Sequence, residues 1–343
     1  MRRFELGLLA LLGVACSGPS LEVLDLAATT PPNMPDASLF LQASGDQLLL
    51  AGEPFRFLSF NAFSLTGCGN PDELFDAAAL DDFFASLRPR SLVRTYAFQN
   101  QGVDAIDAVI AAATRHQQLL NFVLTDAKGS CGDDNISKDE AWFAGGFRND
   151  YLPWVREIVT RERAEAAVGM WELVGSPANV RSATLRSFYD EVGAVVHELA
   201  PRQLVSSGSH GVWAYGGAGG YQLIHESPGI DVAGVRDYEQ DPGTPPNLQA
   251  ALDALAGSKP LILAEAGIFA SPGGDSTQML EGRTCVSWST RRDVLATWIE
   301  SSFQTRLAGL DVWNYLPVAH TGCEYSTHPS DPLFALVHDA ALP

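Results

Sequence analysis

Positive charge is scarce in this chain. Its 343 residues hold 22 Lys and Arg against 41 Asp and Glu, a formal charge of −19. So acidic a surface repels phosphate backbones and anionic headgroups, which argues against a nucleic-acid partner and leaves neutral ligands such as glycans open. No CxxC pair or clustered histidine accompanies the five cysteines, so a metal is the weaker reading of them. The run GGAGG (216–220) lacks the lysine and Ser/Thr of a phosphate loop. No cofactor is expected. The apolar run LGLLALLGVA has ten residues, too few to span a bilayer.

That run has another use. It follows MRRFE, which supplies two positive charges, and it ends in VACSG. Basic start, short apolar run and small residues make an export signal. The small residue before Cys16 resembles the lipobox of bacterial lipoproteins, although Gly13 stands where leucine is usual. Ordinary cleavage beside an incidental cysteine is the competing reading. The expectation is a signal with lipobox over 1–16, a Pro-rich linker over 17–37 and a folded domain over 38–343. Such a chain is exported, lipid-anchored to the bacterial envelope through Cys16 or else secreted, and monomeric.

Four cysteines lie beyond the signal, at 68, 131, 285 and 323, in Gly-rich or turn-like stretches that place them on loops. An even number in an exported chain points to two disulfides. Sequence does not fix their pairing; Cys68 with Cys131 and Cys285 with Cys323 is the pairing chosen here.

A turn at Ser44-Gly45-Asp46 and another at Gly52 divide residues 38–63 into short strands, the first a β-hairpin. From there near-continuous apolar runs mark strands at 55–60, 91–97, 119–125, 167–174, 203–207, 231–236, 260–265 and 309–315. Such runs suit parallel strands buried on both faces. Helical patterns fall at 72–87, 103–116, 138–163, 182–199, 247–256 and 289–307, and any helix within 208–230 is short. Eight strands alternating with helices predict an α/β fold, a (β/α)8 TIM barrel with an N-terminal β-hairpin. An open doubly wound sheet is the alternative, but NAFSLTGCG is no dinucleotide turn.

Barrel sites form where strands end. The ends read Asn61, Arg94, Asp126, Ser176, His210, Arg236 with Tyr238, Glu265 and Trp313. An aromatic face for the apolar side of a pyranose, with polar groups for its hydroxyls, suits a sugar. Trp213 and Tyr215 read equally as a subsite wall or as packing. Trp142, Trp154, Trp288 and Trp298 read as packing.

The strand motifs GEPFRFLSFNAF, LVRTYAF, MWELVGSP, RDY, LILAEAG and VWNY, in this order over residues 38–343, resemble family-5 glycoside hydrolases of the endo-β-mannanase and cellulase-like branch. The resemblance implies a retaining O-glycosyl hydrolase acting on a β-linked polysaccharide or oligosaccharide, mannan or a glucan. That mechanism uses two carboxyl groups about 5 Å apart. Glu265 falls at the nucleophile's place. Ser176 stands at the acid/base glutamate's place, Gly175 at an asparagine's, and Arg236 at the histidine of a His-x-Tyr motif. The implied substrate-binding set is Arg94, His210, Arg236, Tyr238 and Trp313. A serine is no useful proton donor, so catalysis is expected to be impaired, and a non-catalytic glycan-binding lipoprotein is the alternative. Glu172 lies four residues before Ser176, about 13 Å lower at ~3.3 Å per residue, out of reach. Asp237 should face away from Arg236 and Tyr238. Glu239 and His210 remain conceivable substitutes. Arg236 leaning on Glu265 would lower that carboxyl's pKa.

Overall fold

The computed structural model describes residues 36, 39–69, 74–132 and 137–342. The segment expected to be a signal, with Cys16, and nearly all of the expected linker lie outside the described residues. Among those described, no helix is long and apolar enough to cross a membrane.

Strands β1 (Leu41–Ser44), β2 (Gln47–Leu50) and β3 (Glu53–Phe55) form an antiparallel meander. Its buried Leu41, Leu48 and Phe55 pack on Phe57, Leu92, Leu119, Met170 and Ile262, and so close the bottom of the molecule. The barrel strands follow as β4 (Phe57–Asn61), β5 (Leu92–Tyr96), β6 (Leu119–Val123), β7 (Val168–Glu172), β8 (Leu204–Ser206), β9 (Ala233–Asp237) and β10 (Leu261–Ala266). Three short strands intervene, β11 (Ala270–Ser271), β12 (Asp275–Leu280) and β13 (Arg283–Ser287), before the last barrel strand, β14 (Leu307–Trp313).

The hydrogen-bonded order is β8-β7-β6-β5-β4-β14-β10-β9, all parallel. A bridge between Ser206 and Val232, with the Ser207 amide donating to the Val232 carbonyl at 3.1 Å, joins β8 to β9. The two ends of that order are therefore neighbours and the ring shuts, which an open doubly wound sheet cannot do. The fold is a (β/α)8 barrel. Closure demands close crossings inside. A Cβ on Gly309 would stand 2.0 Å from the ring of Phe57, so only glycine lets that ring cross the interior.

The outer helices are α1 (Ala77–Ser86), α2 (Val103–Arg115), α3 (Glu140–Ala144), α4 (Tyr151–Glu162), α5 (Ser182–Leu199), α6 (Ala218–His225), α7 (Pro246–Leu255), α8 (Trp288–Phe303) and α9 (Pro332–Asp339). Three expectations need correction. The helix expected over 138–163 is two, because Gly145-Gly146 interrupts the first and Pro153 fits only the first turn of the second. The α9 helix was not expected. Cys285 sits in β13 rather than on a loop. The disulfides are Cys68–Cys131 and Cys285–Cys323, with Cα atoms 5.3 and 5.8 Å apart.

Candidate active site

Above the apolar plug, the residues facing the barrel axis turn polar. Two arginines and two glutamates form one buried cluster there. Arg94 on β5, wholly buried, donates from Nε to Glu172 Oε2 at 2.7 Å, from Nη2 to Glu172 Oε1 at 2.5 Å and from Nη1 to Glu265 Oε1 at 3.0 Å. Arg236 is in register with Glu265 on the neighbouring strand. Its Nη1 lies 2.9 Å from Glu265 Oε1, while Nη2 reaches the Gly208 carbonyl at 3.2 Å and Glu172 Oε1 at 3.4 Å. The Tyr238 hydroxyl donates to the other Glu265 oxygen.

The two positive charges balance the two negative ones. Burial pushes the Glu265 carboxyl up, but Arg236, Arg94 and the Tyr238 hydroxyl outweigh it and hold the group below the usual carboxylate range. Asp311, wholly buried on β14 with no hydrogen-bond partner among the described residues, is pushed well up by burial and keeps its proton.

Over this cluster lies a cavity of about 670 Å³. Glu265, Ser176, His210, Arg236, Tyr238, Asp126 and Trp313 all line it, so the strand ends do converge as expected. Two do not reach its surface. Arg94 and Asn61 are fully buried and lie off the cavity wall, and Arg94 acts behind Glu265 instead of facing a ligand. The reasoning about Glu172 also needs correction. Its carboxylate rises far enough for single guanidinium groups to touch it and Glu265 together. Burial at 0 % exposure, and not distance, keeps it from any ligand.

Ser176 follows β7 with φ of +54° and 6 % exposure. Its amide donates to the Gly208 carbonyl at 3.2 Å, and the Gly175 amide to the Thr125 carbonyl at 2.7 Å, so the sheet register carries on past the strand ends. Ser176 brings a hydroxyl, and no carboxyl, to the cavity wall beside Arg236, which bonds the same Gly208 carbonyl. Asp237 is buried off the cavity, accepting from the amides of Glu239 and Asn247 at 3.2 and 2.8 Å; burial raises it to about 6. Glu239 is ion-paired to Arg283 at 3.1 Å. His210 is held neutral, near 4, first by burial and then by Arg236, with Lys128 adding to it against the pull of Glu265.

Aromatic roles divide. Trp313 stacks on Phe63 with centroids 5.6 Å apart. Trp213 is 67 % exposed on the rim, whereas Tyr215 is buried and ties the His210 amide to the Pro177 carbonyl. Trp154 and Trp298 are core residues. Sequence reasoning missed Tyr96, Phe63, Lys128, Asn247, Tyr325 and the tip of the β12–β13 hairpin with Leu280, Glu281 and Arg283. The hairpin had a signal. Glu281 and Gly282 both have positive φ, the two-residue turn that Glu-Gly between strand formers allows. Among the described residues, no group of three His, Cys, Asp or Glu is placed to hold a metal ion.

No protein-family profile matches the sequence. The chain is 24% identical over 212 residues to a putative mannan endo-1,4-β-mannosidase 9 of Oryza sativa subsp. japonica, covering 51% of this chain and 52% of that protein. It is 27% identical over 266 residues to a probable mannan endo-1,4-β-mannosidase C of Aspergillus terreus, covering 67% and 63%. It thus spans between half and two thirds of the length of these relatives. The solved endo-1,4-β-mannanase of Rhizomucor miehei shares the fold, with a TM-score of 0.69 at 17% identity over 87% of this chain and 97% of that one. The likeness is to the mannanase-like proteins of glycoside hydrolase family 5, the group that the strand motifs resemble.

Proposed function

We propose that this chain is a family-5-type barrel whose mouth takes a β-linked glycan, mannan or a glucan, and whose hydrolytic turnover is impaired. One observation carries the reading. Glu265, its pKa held low, lines the same cavity as Ser176, which supplies no proton. A retaining glycosidase needs the carboxylate to attack the anomeric carbon while a second group protonates the departing oxygen. Glu265 suits the first task. A serine hydroxyl, with an intrinsic acidity far below that of a carboxyl group, does not suit the second. A positioned acid–base group contributes about 10²–10⁴-fold, so without one the attack is limited to leaving groups that need no proton.

A specific contact favours the second reading, a glycan-binding protein that does not turn over. Glu265 Oε1 accepts from both Arg94 and Arg236, and Oε2 from Tyr238, which stabilises the ionised carboxylate and weakens it as a nucleophile. On either reading the chain is exported, tethered by a lipid on Cys16 or else secreted, and works as a monomer on polysaccharide or oligosaccharide.

An aryl glycoside with a strongly acidic phenol separates the two. A burst of phenol stoichiometric with protein, absent in Glu265→Gln, is the expected result for a living nucleophile. No burst, with oligosaccharide binding measurable by calorimetry, leaves the binder. Neither burst nor binding sinks the proposal.

A further inference from the structure

Four buried tyrosines spend their hydroxyls on the main chain. Tyr151, Tyr189, Tyr215 and Tyr221 donate to the carbonyls of Leu173, Ser207, Pro177 and Gly234. Tyr96 does not. Its ring stacks on Phe98 with centroids 4.4 Å apart, which accounts for the ring. No described residue hydrogen-bonds its hydroxyl. Yet Tyr96 is buried, and it lines the cavity together with Asp126, Ser176 and Glu265. A phenol so placed is an apolar body with a polar tip, and the tip normally finds a partner.

Asp126 belongs to the same corner. Tyr96 ends β5 in register with Val123, the last residue of β6, and Asp126 lies just beyond on the same segment. Burial first, and then the charge of Asp126, pushes the Tyr96 phenol up; Glu265 adds to this, while Arg94 and Arg236 oppose it. The phenol therefore keeps its proton, a standing donor within the field of both carboxylates. Asp126 accepts through Oδ1 from the Lys128 amide at 2.6 Å and the Ser130 hydroxyl at 3.1 Å, closing its own turn. Its Oδ2 lies toward Gly175, with which Asp126 forms a parallel bridge. A Cβ on Gly175 would stand 3.4 Å from that oxygen and 3.4 Å from Arg94 Nη2. A side chain there would cover the carboxylate from that side, and glycine adds no such cover.

We propose that Tyr96 and Asp126 are a donor–acceptor pair that reads hydroxyl groups of the sugar ring lying against Glu265, and so set which rings the site accepts. This rests on the reading of the cavity as a glycan site. The phenol donates to one ring oxygen substituent, and the carboxylate accepts from a hydroxyl of the same ring, a charge-assisted bond. A ring without that hydroxyl leaves a buried carboxylate facing nothing, so the pair discriminates more by what it rejects than by what it gains.

The test uses the full chain, with β-1,4-linked mannohexaose and cellohexaose as probes in calorimetry, and the tighter binder is carried forward. Tyr96→Phe removes the hydroxyl and keeps the stack on Phe98, so its melting midpoint should match the wild type while its affinity falls about five- to tenfold, the worth of one hydrogen bond. Asp126→Asn keeps an oxygen for the turn but turns part of the acceptor into a donor, and should lose about tenfold or more. The double variant should lose less than the product of the two, because both groups read one ring. Should Asp126→Asn fail to fold, Tyr96→Phe decides alone. Binding by Tyr96→Phe within about twofold of a wild type that does bind, less than one hydrogen bond is worth, overturns the pair and leaves the glycan reading standing. Binding of neither probe by the wild type overturns both.

Discussion

Arg236 and Glu265 are partners in register on adjacent strands, and their side chains meet 2.9 Å apart. Arg94 completes the arrangement from a third strand, so two cations and two carboxylates balance in a volume almost closed to water. A buried pair is costly to form and far costlier to leave half broken.

Arg94→Ala strands Glu172 and weakens the hold on Glu265. Breaking a buried pair from one side typically costs about 3–5 kcal/mol, and urea denaturation of this variant should fall in that range. A loss under about 1 kcal/mol would mean that the cluster is not a unit.

Ser176→Glu puts a carboxyl on the cavity wall that Glu265 also lines. Activity on polymeric mannan or glucan should rise by about 10²–10⁴-fold, the usual contribution of a positioned acid. Reducing-sugar release measures it. No gain from a folded Ser176→Glu variant would place the defect elsewhere, with the arginine clamp as the next target.

Gly309→Ala drives a methyl group into the ring of Phe57. Overpacking of this kind costs about 1–3 kcal/mol, so the denaturation midpoint should drop by a matching amount. Gly309→Ala with Phe57→Leu should recover part of the loss, because a smaller side chain leaves space for the added methyl.

His210 and His225 both have folded-state pKa values below the ordinary 6.5, about 4 and about 3, with burial the chief cause in each. The unfolded chain therefore takes up protons that the folded one refuses. Their contribution to stability is complete above about pH 6.5 and is lost progressively as pH falls through 4 toward 3. Thermal melts across that window should show a falling acid limb, flatter in His225→Gln. Histidine ring titration by NMR with midpoints near 6.5 would refute the assignment.

Reduction should act on one rim of the cavity more than on the barrel. Cys285–Cys323 ties β13 to the loop after β14, and Arg283 and Gln240 hold the same hairpin to the β9–α7 loop. Paired Cys285→Ser and Cys323→Ser should lower stability by about 2–4 kcal/mol. Amide exchange should quicken over residues 275–287 first, while the β4–β7 strands stay protected.

Much of the fold was legible because it is written locally. Eight apolar runs separated by helical patterns leave little choice but a parallel sheet covered on both faces, and each predicted barrel strand overlaps an observed one. The ends of those strands named most of the cavity, since a barrel puts them all on one face. The hairpin after β10 escaped because β12 is almost wholly exposed and β13 only half-buried, so apolar patterning says little there; only the Glu281-Gly282 turn marked it. Lys128 escaped because it lies five residues past the end of β6, in a turn on the cavity wall.

The sequence on its own determined the architecture and the identities facing each other: Glu265 on one strand, Ser176 beyond another, Arg236 beside them. Tertiary structure decided what those identities do. Whether Glu172 stood apart from or joined Glu265 depended on how far an arginine from a third strand reaches across the axis, and counting residues along one strand cannot measure that. Whether a charge finds a partner depends likewise on neighbours far away in the chain, as Arg283 meets Glu239, 44 residues before it, across the cavity rim.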